Sequence, residues 1–357
     1  MDLERLCKNH TPMVVRCAAL PDAVGREVLT TIAKLTLVVA PDGGVLLGTP
    51  PRPVRDQAVP TSGDPWASHL YPSDFVDEKP GTDVLLVGTA QPPGDRSVTW
   101  MDVTLRVASG RRPIDKTVRV FGTRVLYRGA WDVTPGPPAA LLPTPLVYEL
   151  TYGGRDDQSP SEAPLVDWRN PAGTGVARDR GRLVGQRAPA LENPEAAFGS
   201  RKPAPACFGP LPPSWLPRSA LAGTYDYAWS RKRAPFRPAD FDPRHHACAP
   251  PDQHSDEPLS ADVPVEIIGA TRNGTWRFRL PPYAPMFQAK VSGQTIDLST
   301  HLDTYLIDAD AGVVELVWRT SLLMPRKSQD LQVIRITDAG PLPLGATLAP
   351  AAASGAR

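Results

Sequence analysis

The chain has 357 residues, which is enough for about two ordinary domains or one large β unit. Lysines and arginines number 39 and aspartates and glutamates 38, so the net charge of +1 provides no overall field for binding nucleic acid or an anionic membrane. Proline is abundant, with 43 residues against roughly 5% in an average protein, and this abundance disfavours long helices over much of the chain.

The amino terminus predicts a cytoplasmic location. Asp2 and Glu4 stand where a secretory signal would carry basic residues before an apolar run. No apolar stretch approaches the roughly 20 residues that a membrane-spanning helix needs. We therefore expect a soluble cytoplasmic protein that binds neither a membrane nor nucleic acid.

Residues 1–134 carry patterns typical of β-strands. Lys34–Val39 and Val45–Leu47 flank the turn sequence Asp42-Gly43-Gly44, and this arrangement predicts a hairpin. Three further runs rich in β-branched and aromatic residues are predicted strands: Asp83–Ala90, Val98–Val107 and Thr117–Tyr127. We expect a bulge at Gly122, where the alternation in the last run changes.

Residues 135–262 have a different character. Between Pro135 and Pro285 lie 26 of the 43 prolines. Short helical turns are predicted near Pro217–Leu221 and Tyr225–Arg231, with irregular chain elsewhere. The many aromatic side chains here provide apolar area that a flexible linker would lack, so we expect this segment to pack over a β core.

Residues 263–340 predict two more hairpins. In the first, the Asn273-Gly274 turn joins Val263–Ile268 to Thr275–Leu280, where apolar residues alternate with two arginines. In the second, Tyr305–Ile307 pairs with Val313–Trp318. Residues 341–357 are mostly small residues and prolines and are expected to form a disordered tail.

These elements together predict a mainly β fold. The N- and C-terminal hairpins would form an antiparallel β-sandwich-like scaffold, and the long proline-rich central segment would add irregular chain and short helical turns. Residues 1–340 would form one unit.

Potential metal ligands concentrate in one short stretch: His245, His246, Cys248, Asp252 and His254. Their spacing matches no standard zinc motif, and G-x-S-x-G is absent from the chain. We therefore expect no catalytic residues, no metal and no cofactor. A metal-dependent hydrolase that uses His245, His246 and His254 remains the alternative. A sugar-binding β-sandwich is a third possibility, which rests on aromatic abundance alone.

The central segment also combines rigid backbone with large side chains, a composition typical of pre-organised binding surfaces. Tryptophan, tyrosine and arginine dominate binding hot spots. The predicted protein-binding residues are Trp215, Arg218, Tyr225, Asp226, Trp229, Asp240, Asp242 and Arg244. Core packing is the competing interpretation, and we expect at least half of the central aromatic side chains to lie in the interior.

Several separated motifs, in this order, resemble a bacterial family known as domain of unknown function 2169 (DUF2169), which is found in type VI secretion gene clusters. They are Glu78–Gly94, Val118–Gly129, Leu142–Gly154, Val166–Gly175, Phe208–Gln253 and Asp303–Arg319. The resemblance covers most of the chain. Tyr152 and the pair His245-His246 depart from the pattern, and the second departure argues against a family-wide metal role.

The resemblance implies an adaptor or chaperone rather than an enzyme. Members of the family are thought to load toxic effectors onto the secretion spike through a PAAR-type tip or a VgrG trimer. The expected function is therefore a non-enzymatic cytoplasmic adaptor that binds a type VI effector (toxin), or its PAAR-type spike tip, and helps to load it onto VgrG.

Overall fold

Strands provide most of the regular structure in the computed structural model, which describes residues 3–22, 24–108, 112–158, 163–325 and 330–338. The predicted tail, 341–357, lies outside the described residues. The amino-terminal strands are β1 (Cys7–Asn9), β2 (Val14–Pro21), β3 (Glu27–Val39), β4 (Val45–Leu47), β5 (Val59–Pro60), β6 (His69–Tyr71), β7 (Thr82–Val87), β8 (Thr89–Ala90), β9 (Trp100–Val107), β10 (Ile114–Phe121), β11 (Leu126–Arg128) and β12 (Val133–Pro135).

The central segment contains short strands and turns. Its strands are β13 (Thr144–Pro145), β14 (Tyr152–Gly153), β15 (Arg155–Asp156), β16 (Leu165–Val166), β17 (Thr174–Gly175), β18 (Leu191–Glu192) and β19 (His254–Ser255). The carboxy-terminal strands are β20 (Pro264–Ile268), β21 (Thr275–Arg279), β22 (Pro285–Val291), β23 (Gln294–Leu298), β24 (His301–Asp308), β25 (Val313–Leu323) and β26 (Leu331–Asp338).

Helical structure is confined to short pieces. The α-helices of the described chain are α1 (Leu3–Leu6) and α2 (Tyr227–Lys232). Single turns of 3₁₀-helix occur at Tyr148–Leu150, Arg180–Leu183, Arg218–Leu221, Pro243–His246 and Pro251–Gln253. Both helical turns predicted in the central segment are thus confirmed within a few residues. Among the described residues, no helix combines the length and apolar character needed to cross a membrane.

A seven-stranded sheet draws on all three parts of the chain. Its strand order is β19-β7-β24-β25-β3-β2, with β4 also paired to β3. Neighbours are antiparallel apart from β7 and β24, which run parallel. Two predicted hairpins are confirmed here, since β3 pairs with β4 and β24 pairs with β25. The sheet therefore joins the amino-terminal strands β2, β3, β4 and β7 to the carboxy-terminal strands β24 and β25.

A five-stranded sheet of order β18-β10-β9-β20-β21 packs against the seven-stranded sheet, and a four-stranded sheet of order β1-β26-β22-β23 adjoins them. Leu35 and Leu316 from the first sheet share one buried cluster with Leu105 and Val118 from the second. Alternate residues of each strand point into this shared core, as the pleat requires. The predicted mainly β, sandwich-like scaffold is confirmed.

The hairpin of β20 and β21 follows its sequence pattern closely. Trp276 and Phe278 are buried, while Arg277 and Arg279 on the opposite face are exposed. Gly274 has a φ of +78°, a conformation that glycine adopts without strain. The prediction made from the Asn-Gly turn and the alternation is therefore confirmed.

The prediction for Gly122 was wrong. Strand β10 ends at Phe121 and the chain leaves the sheet, so Thr117–Tyr127 is not one bulged strand. A Cβ on Gly122 would lie 2.1 Å from the carbonyl oxygen of Ala139. Glycine is needed here because the returning chain passes directly over its backbone.

Charged side chains lie buried on the outer face of the seven-stranded sheet. Glu315 on β25 accepts hydrogen bonds from Arg55 Nη1 at 2.7 Å and Arg52 Nη1 at 3.0 Å, and Lys34 Nζ lies 3.1 Å away. Burial alone would raise the pKa of Glu315, but these cations outweigh it and lower the pKa to about 2. The network fixes the chain between β4 and β7 onto the sheet.

Candidate protein-binding groove

A groove of about 970 Å³ lies between β10 and the proline-rich central segment. Its apolar lining includes Tyr148, Ala206, Leu211 and Leu216. Its walls carry five prolines, Pro194, Pro205, Pro217, Pro250 and Pro251. Because each proline ring fixes one backbone dihedral, these walls are stiffer than ordinary loops. The groove is thus a preformed concave surface of the size that binding sites commonly have.

A second cavity of about 1060 Å³ continues the groove along the central segment. The two share Pro217, Ala220, Pro251 and Asp252 in their linings. Arg218 and Arg244 line the second cavity only. The two cavities together form an extended channel rather than a closed pocket for a small molecule.

The aromatic floor of the groove packs on a buried tryptophan of the core. The Tyr148 ring packs edge-on against Trp215, with centroids 5.6 Å apart and planes at 86°. Trp215 is 1% exposed and Tyr148 is 3% exposed, and both belong to the main core cluster. The groove floor is therefore continuous with the core of the sandwich.

Lys116 on β10 lies buried in the groove. Its Nζ is 2.9 Å from Asp252 Oδ1 on the opposite wall. Burial lowers the pKa of Lys116, and the nearby Asp252 carboxylate only partly offsets that effect. This ion pair joins the strand to the 3₁₀ turn at Pro251–Gln253.

The rim on the other face of β10 is also rigid. Arg119 donates to both carboxylate oxygens of Asp102, at 2.8 and 3.0 Å, and its guanidinium lies 4.2 Å from the Trp100 ring centroid. The two-pronged ion pair and the stacking hold Arg119 in one orientation. The groove thus presents fixed charges rather than freely moving ones.

Two of the predicted contact residues lie beneath the surface. Trp215 packs in the core, where it has almost no exposed area for a partner to touch. Arg218 is 9% exposed and donates to the carbonyl oxygens of Leu211 and His245. Trp215 supports the groove from the core, and Arg218 joins two stretches of the central segment. Both positions agree with the competing interpretation, in which these residues pack in the core.

Four other predicted residues are engaged in local structure. Asp226 accepts from Trp229 N–H and caps α2, and Asp240 accepts from Thr224. Asp242 caps the 3₁₀ turn at Pro243–His246 and pairs with Arg244, whose side chain is 64% exposed. Arg244 thus presents an exposed cation beside its partner Asp242.

Tyr225 lies just before α2, and Trp229 lies within it. Their rings pack edge-on with centroids 4.7 Å apart, and Trp229 Nε1 donates to Phe236 O at 2.8 Å. Tyr225 is 57% exposed, and the neighbouring Tyr227 is 79% exposed. The structure thus separates the predicted set into buried supports, residues engaged in local structure, the exposed ring of Tyr225 and the half-buried ring of Trp229.

The histidines of the alternative hypothesis do not converge. Nδ1 of His245 contacts Arg218 O at 2.8 Å, and Nδ1 of His246 contacts Glu78 O at 2.6 Å. Nδ1 of His254 instead contacts Asp83 Oδ1 at 2.8 Å. In the part of the chain that the structure describes, no group of three or more His, Cys, Asp or Glu side chains is placed to hold a metal ion.

Cys248 lies in a buried polar cluster with Asp83 of β7. Its Sγ is 3.2 Å from Asp83 Oδ2, and Lys79 Nζ contacts the same oxygen at 2.7 Å. Burial raises the pKa of the Cys248 thiol to about 12. A protonated, buried thiol is a poor nucleophile, so this cluster acts as an attachment of the central segment to the sheet.

Sequence reasoning missed Lys116 and Tyr148. Lys116 shares its side of β10 with Ile114, Val118 and Val120, all of which are buried. A lysine at a position that the alternation of a strand predicts to be buried is unusual, and this pattern could have identified Lys116 from the sequence. Tyr148 carries no comparable signal, because its contact with Trp215 joins distant parts of the chain.

A comparison with family models adds an independent finding. The model described as "Uncharacterized protein conserved in bacteria (DUF2169)" matches residues 24–319. Searches of curated proteins and of solved structures each gave no match. The family match covers well over half of the 357 residues, including the five-stranded sheet, most of the seven-stranded sheet and the groove. The chain therefore belongs to the bacterial DUF2169 family.

Proposed function

We propose that this protein is a non-enzymatic adaptor that binds a client protein in the groove. The client would be a type VI secretion effector (toxin) or its PAAR-type tip, and the adaptor would help to load it onto the VgrG spike. The secretion role rests on the motif resemblance, and a cytoplasmic location is part of the same proposal. The binding role rests on the groove itself.

The observation that carries the proposal is the rigid, partly apolar channel formed by the central segment. Apolar lining, proline walls and fixed charges are features of surfaces that bind without large rearrangement. A preformed surface loses little conformational entropy when a partner docks. Near the groove, the Cys248 thiol is buried with a raised pKa, the histidines bond to separate partners, and Lys116 of the lining is paired with Asp252, which favours binding over catalysis.

The exposed ring of Tyr225 and the half-buried ring of Trp229 extend the proposed contact area beyond the groove. Aromatic side chains lose few rotamers on binding and contribute large contact areas. Arg244, on the second cavity, supplies an exposed cation near the same surface. These three members of the predicted set are accessible to a partner without unfolding of the segment.

The test is co-expression with the toxin encoded beside this protein's gene. Ala220 is exposed and lines both cavities, so Ala220→Trp fills the channel without entering the core. Wild-type protein should retain the toxin through purification, and Ala220→Trp should retain about tenfold less. Ala140→Trp adds the same ring at an exposed position outside the groove lining and serves as the matched control.

Retention by the wild type and by Ala140→Trp, with loss only in Ala220→Trp, supports the proposal. Equal retention by all three would show that the client binds elsewhere. If the wild type itself retains no toxin, the adaptor proposal fails.

A further inference from the structure

Over more than half of its length, strand β10 is paired with another strand on one side and unpaired on the other. Strand β9 pairs with every β10 residue from Ile114 to Phe121. On the opposite side, β18 pairs with β10 only at Arg119 and Val120. In the described chain, the stretch from Ile114 to Val118 is therefore an open sheet edge that faces the groove.

The direction of each backbone group follows from two hydrogen bonds at the end of β10. Phe121 N–H donates to Ala190 O on the β18 side at 2.8 Å, and Gly122 N–H donates to Thr99 O on the β9 side at 2.8 Å. Backbone groups alternate between the two edges of a strand. Asp115 and Thr117 therefore direct their N–H and C=O groups toward the open edge.

Both residues line the groove. Within the described chain, the edge-facing backbone groups of Asp115 and Thr117 have no hydrogen-bond partner from protein. Thr117 is half-buried, so its amide lies at the base of the channel rather than on open surface. Such a recessed edge is a template for another extended chain.

The sequence explains why β18 stops where it does. Glu192 lies opposite Arg119, so continuing the register would place Pro194 opposite Thr117. Proline has no N–H and cannot complete that pair of hydrogen bonds. The chain turns away at Pro194, which becomes part of the groove wall and leaves the edge of β10 open.

We propose that an extended segment of the client adds to this edge as a strand antiparallel to β10 and continues the course of β18. This inference rests on the proposed adaptor function, because it says how that client is bound. Five residues of added strand would span roughly 17 Å. Main-chain hydrogen bonds to Asp115 and Thr117 would fix the register of the segment, and its side chains would provide selectivity.

The two faces of the added strand meet different surroundings. Client side chains on the face shared with Val118 meet the apolar Tyr148, Ala206 and Leu211, together with the Lys116–Asp252 ion pair. The charged lining comprises four carboxylates and three cations, giving a net charge of −1: Asp102, Asp115, Glu195 and Asp252 against Lys116, Arg119 and Arg169. The fitting segment therefore alternates apolar residues with neutral or basic ones.

The test changes one backbone N–H. Thr117→Pro removes the edge-facing donor but leaves the hydrogen bonds to β9 in place, because Thr117 directs its backbone away from β9. Thr117→Val also loses the hydroxyl that pairs with Thr104 at 2.9 Å, but it keeps the N–H and is the matched control. The probe is the full-length toxin encoded beside the gene, co-expressed with each variant.

We expect Thr117→Val to retain the toxin like the wild type and Thr117→Pro to retain about tenfold less. Hydrogen exchange of the wild type supplies a readout that does not depend on any variant folding. The Asp115 and Thr117 amides should exchange rapidly in the free protein and slow markedly when the toxin is bound.

Failure of the two proposals is distinguishable. If the wild type binds the toxin while the Asp115 and Thr117 amides remain fast-exchanging, or Thr117→Pro binds as well as Thr117→Val, the strand-addition inference is overturned and the adaptor function stands. If the wild type retains no toxin, the adaptor proposal is overturned and the inference falls with it.

Discussion

Lys116 Nζ lies 2.9 Å from Asp252 Oδ1, and this contact joins the β10 edge of the groove to its far wall. The lysine side chain is 9% exposed and the aspartate side chain 58% exposed, so the cation bears most of the desolvation cost. Removing the aspartate and removing the lysine should therefore change the free energy of unfolding by different amounts.

Asp252→Asn should lower the free energy of unfolding by about 1–2 kcal/mol, because it leaves a buried cation without its counter-charge. Lys116→Met removes the buried charge and keeps the aliphatic bulk, so it should change stability by less than about 1 kcal/mol. Urea denaturation of both variants measures the difference. A larger loss for Lys116→Met than for Asp252→Asn would contradict this description of the pair.

Trp215 and Tyr227 provide a contrast between a core ring and a surface ring. Trp215→Ala should lower the free energy of unfolding by about 3–5 kcal/mol, since it empties a packed site. Tyr227→Ala removes a ring that is 79% exposed and should change stability by at most about 0.5 kcal/mol. Denaturant titration checks both. A small loss for Trp215→Ala would place that ring outside the core and return it to the set of contact candidates.

Glu315 balances three cations on the outer face of the seven-stranded sheet. Glu315→Gln should destabilise the protein by about 3–5 kcal/mol, because Arg55 loses its carboxylate partner, while Lys34 and Arg52 keep only Asp74 and Asp308. Glu266→Gln is the matched control on β20, where the side chain bridges Arg106 and Arg277 at the surface. The free energy of unfolding should fall much less for Glu266→Gln than for Glu315→Gln. Thermal unfolding of the two variants at neutral pH tests the comparison, and equal losses would contradict it.

His246 predicts a specific pH dependence. Burial lowers its pKa from 6.5 to about 4, while Nδ1–H donates to Glu78 O at 2.6 Å. Because the folded pKa lies below the unfolded one, the stability from neutral His246 is complete above pH 6.5 and is lost as the pH falls toward 4. The loss should approach about 3 kcal/mol.

The measurement is the free energy of unfolding between pH 7 and pH 4 for the wild type and for His246→Phe. The phenylalanine variant keeps a ring but cannot titrate, so its stability should fall less steeply over this range. Identical slopes for the two proteins would show that His246 is not a source of the pH dependence.

Local patterns in the sequence were sufficient to predict the hairpins. The pair β20 and β21 follows from an Asn-Gly turn and strict alternation, both of which act over a few residues. The end of β10 at Phe121 was not predictable in this way. It depends on the close approach of Ala139 to Gly122, a contact between chain segments 17 residues apart.

The groove depends on longer-range contacts still. Pro194 and Pro250 form parts of one lining although they lie far apart in the sequence. Trp215 and Tyr225 are both aromatic residues of the proline-rich central segment, yet the first is buried and the second exposed. Residue type alone predicted that the central segment contains important aromatic residues, but it did not separate those that support the fold from those that face outward.

In the proposed adaptor, the groove of one chain would hold a segment of a client toxin without reacting with it. Size-exclusion chromatography with light scattering on the co-expressed pair, followed by mass spectrometry of the recovered toxin, tests this directly. We expect a complex with the summed mass of one adaptor and one toxin, and a toxin of unchanged mass. Separate elution of the two proteins, or recovery of a cleaved or modified toxin, would contradict it.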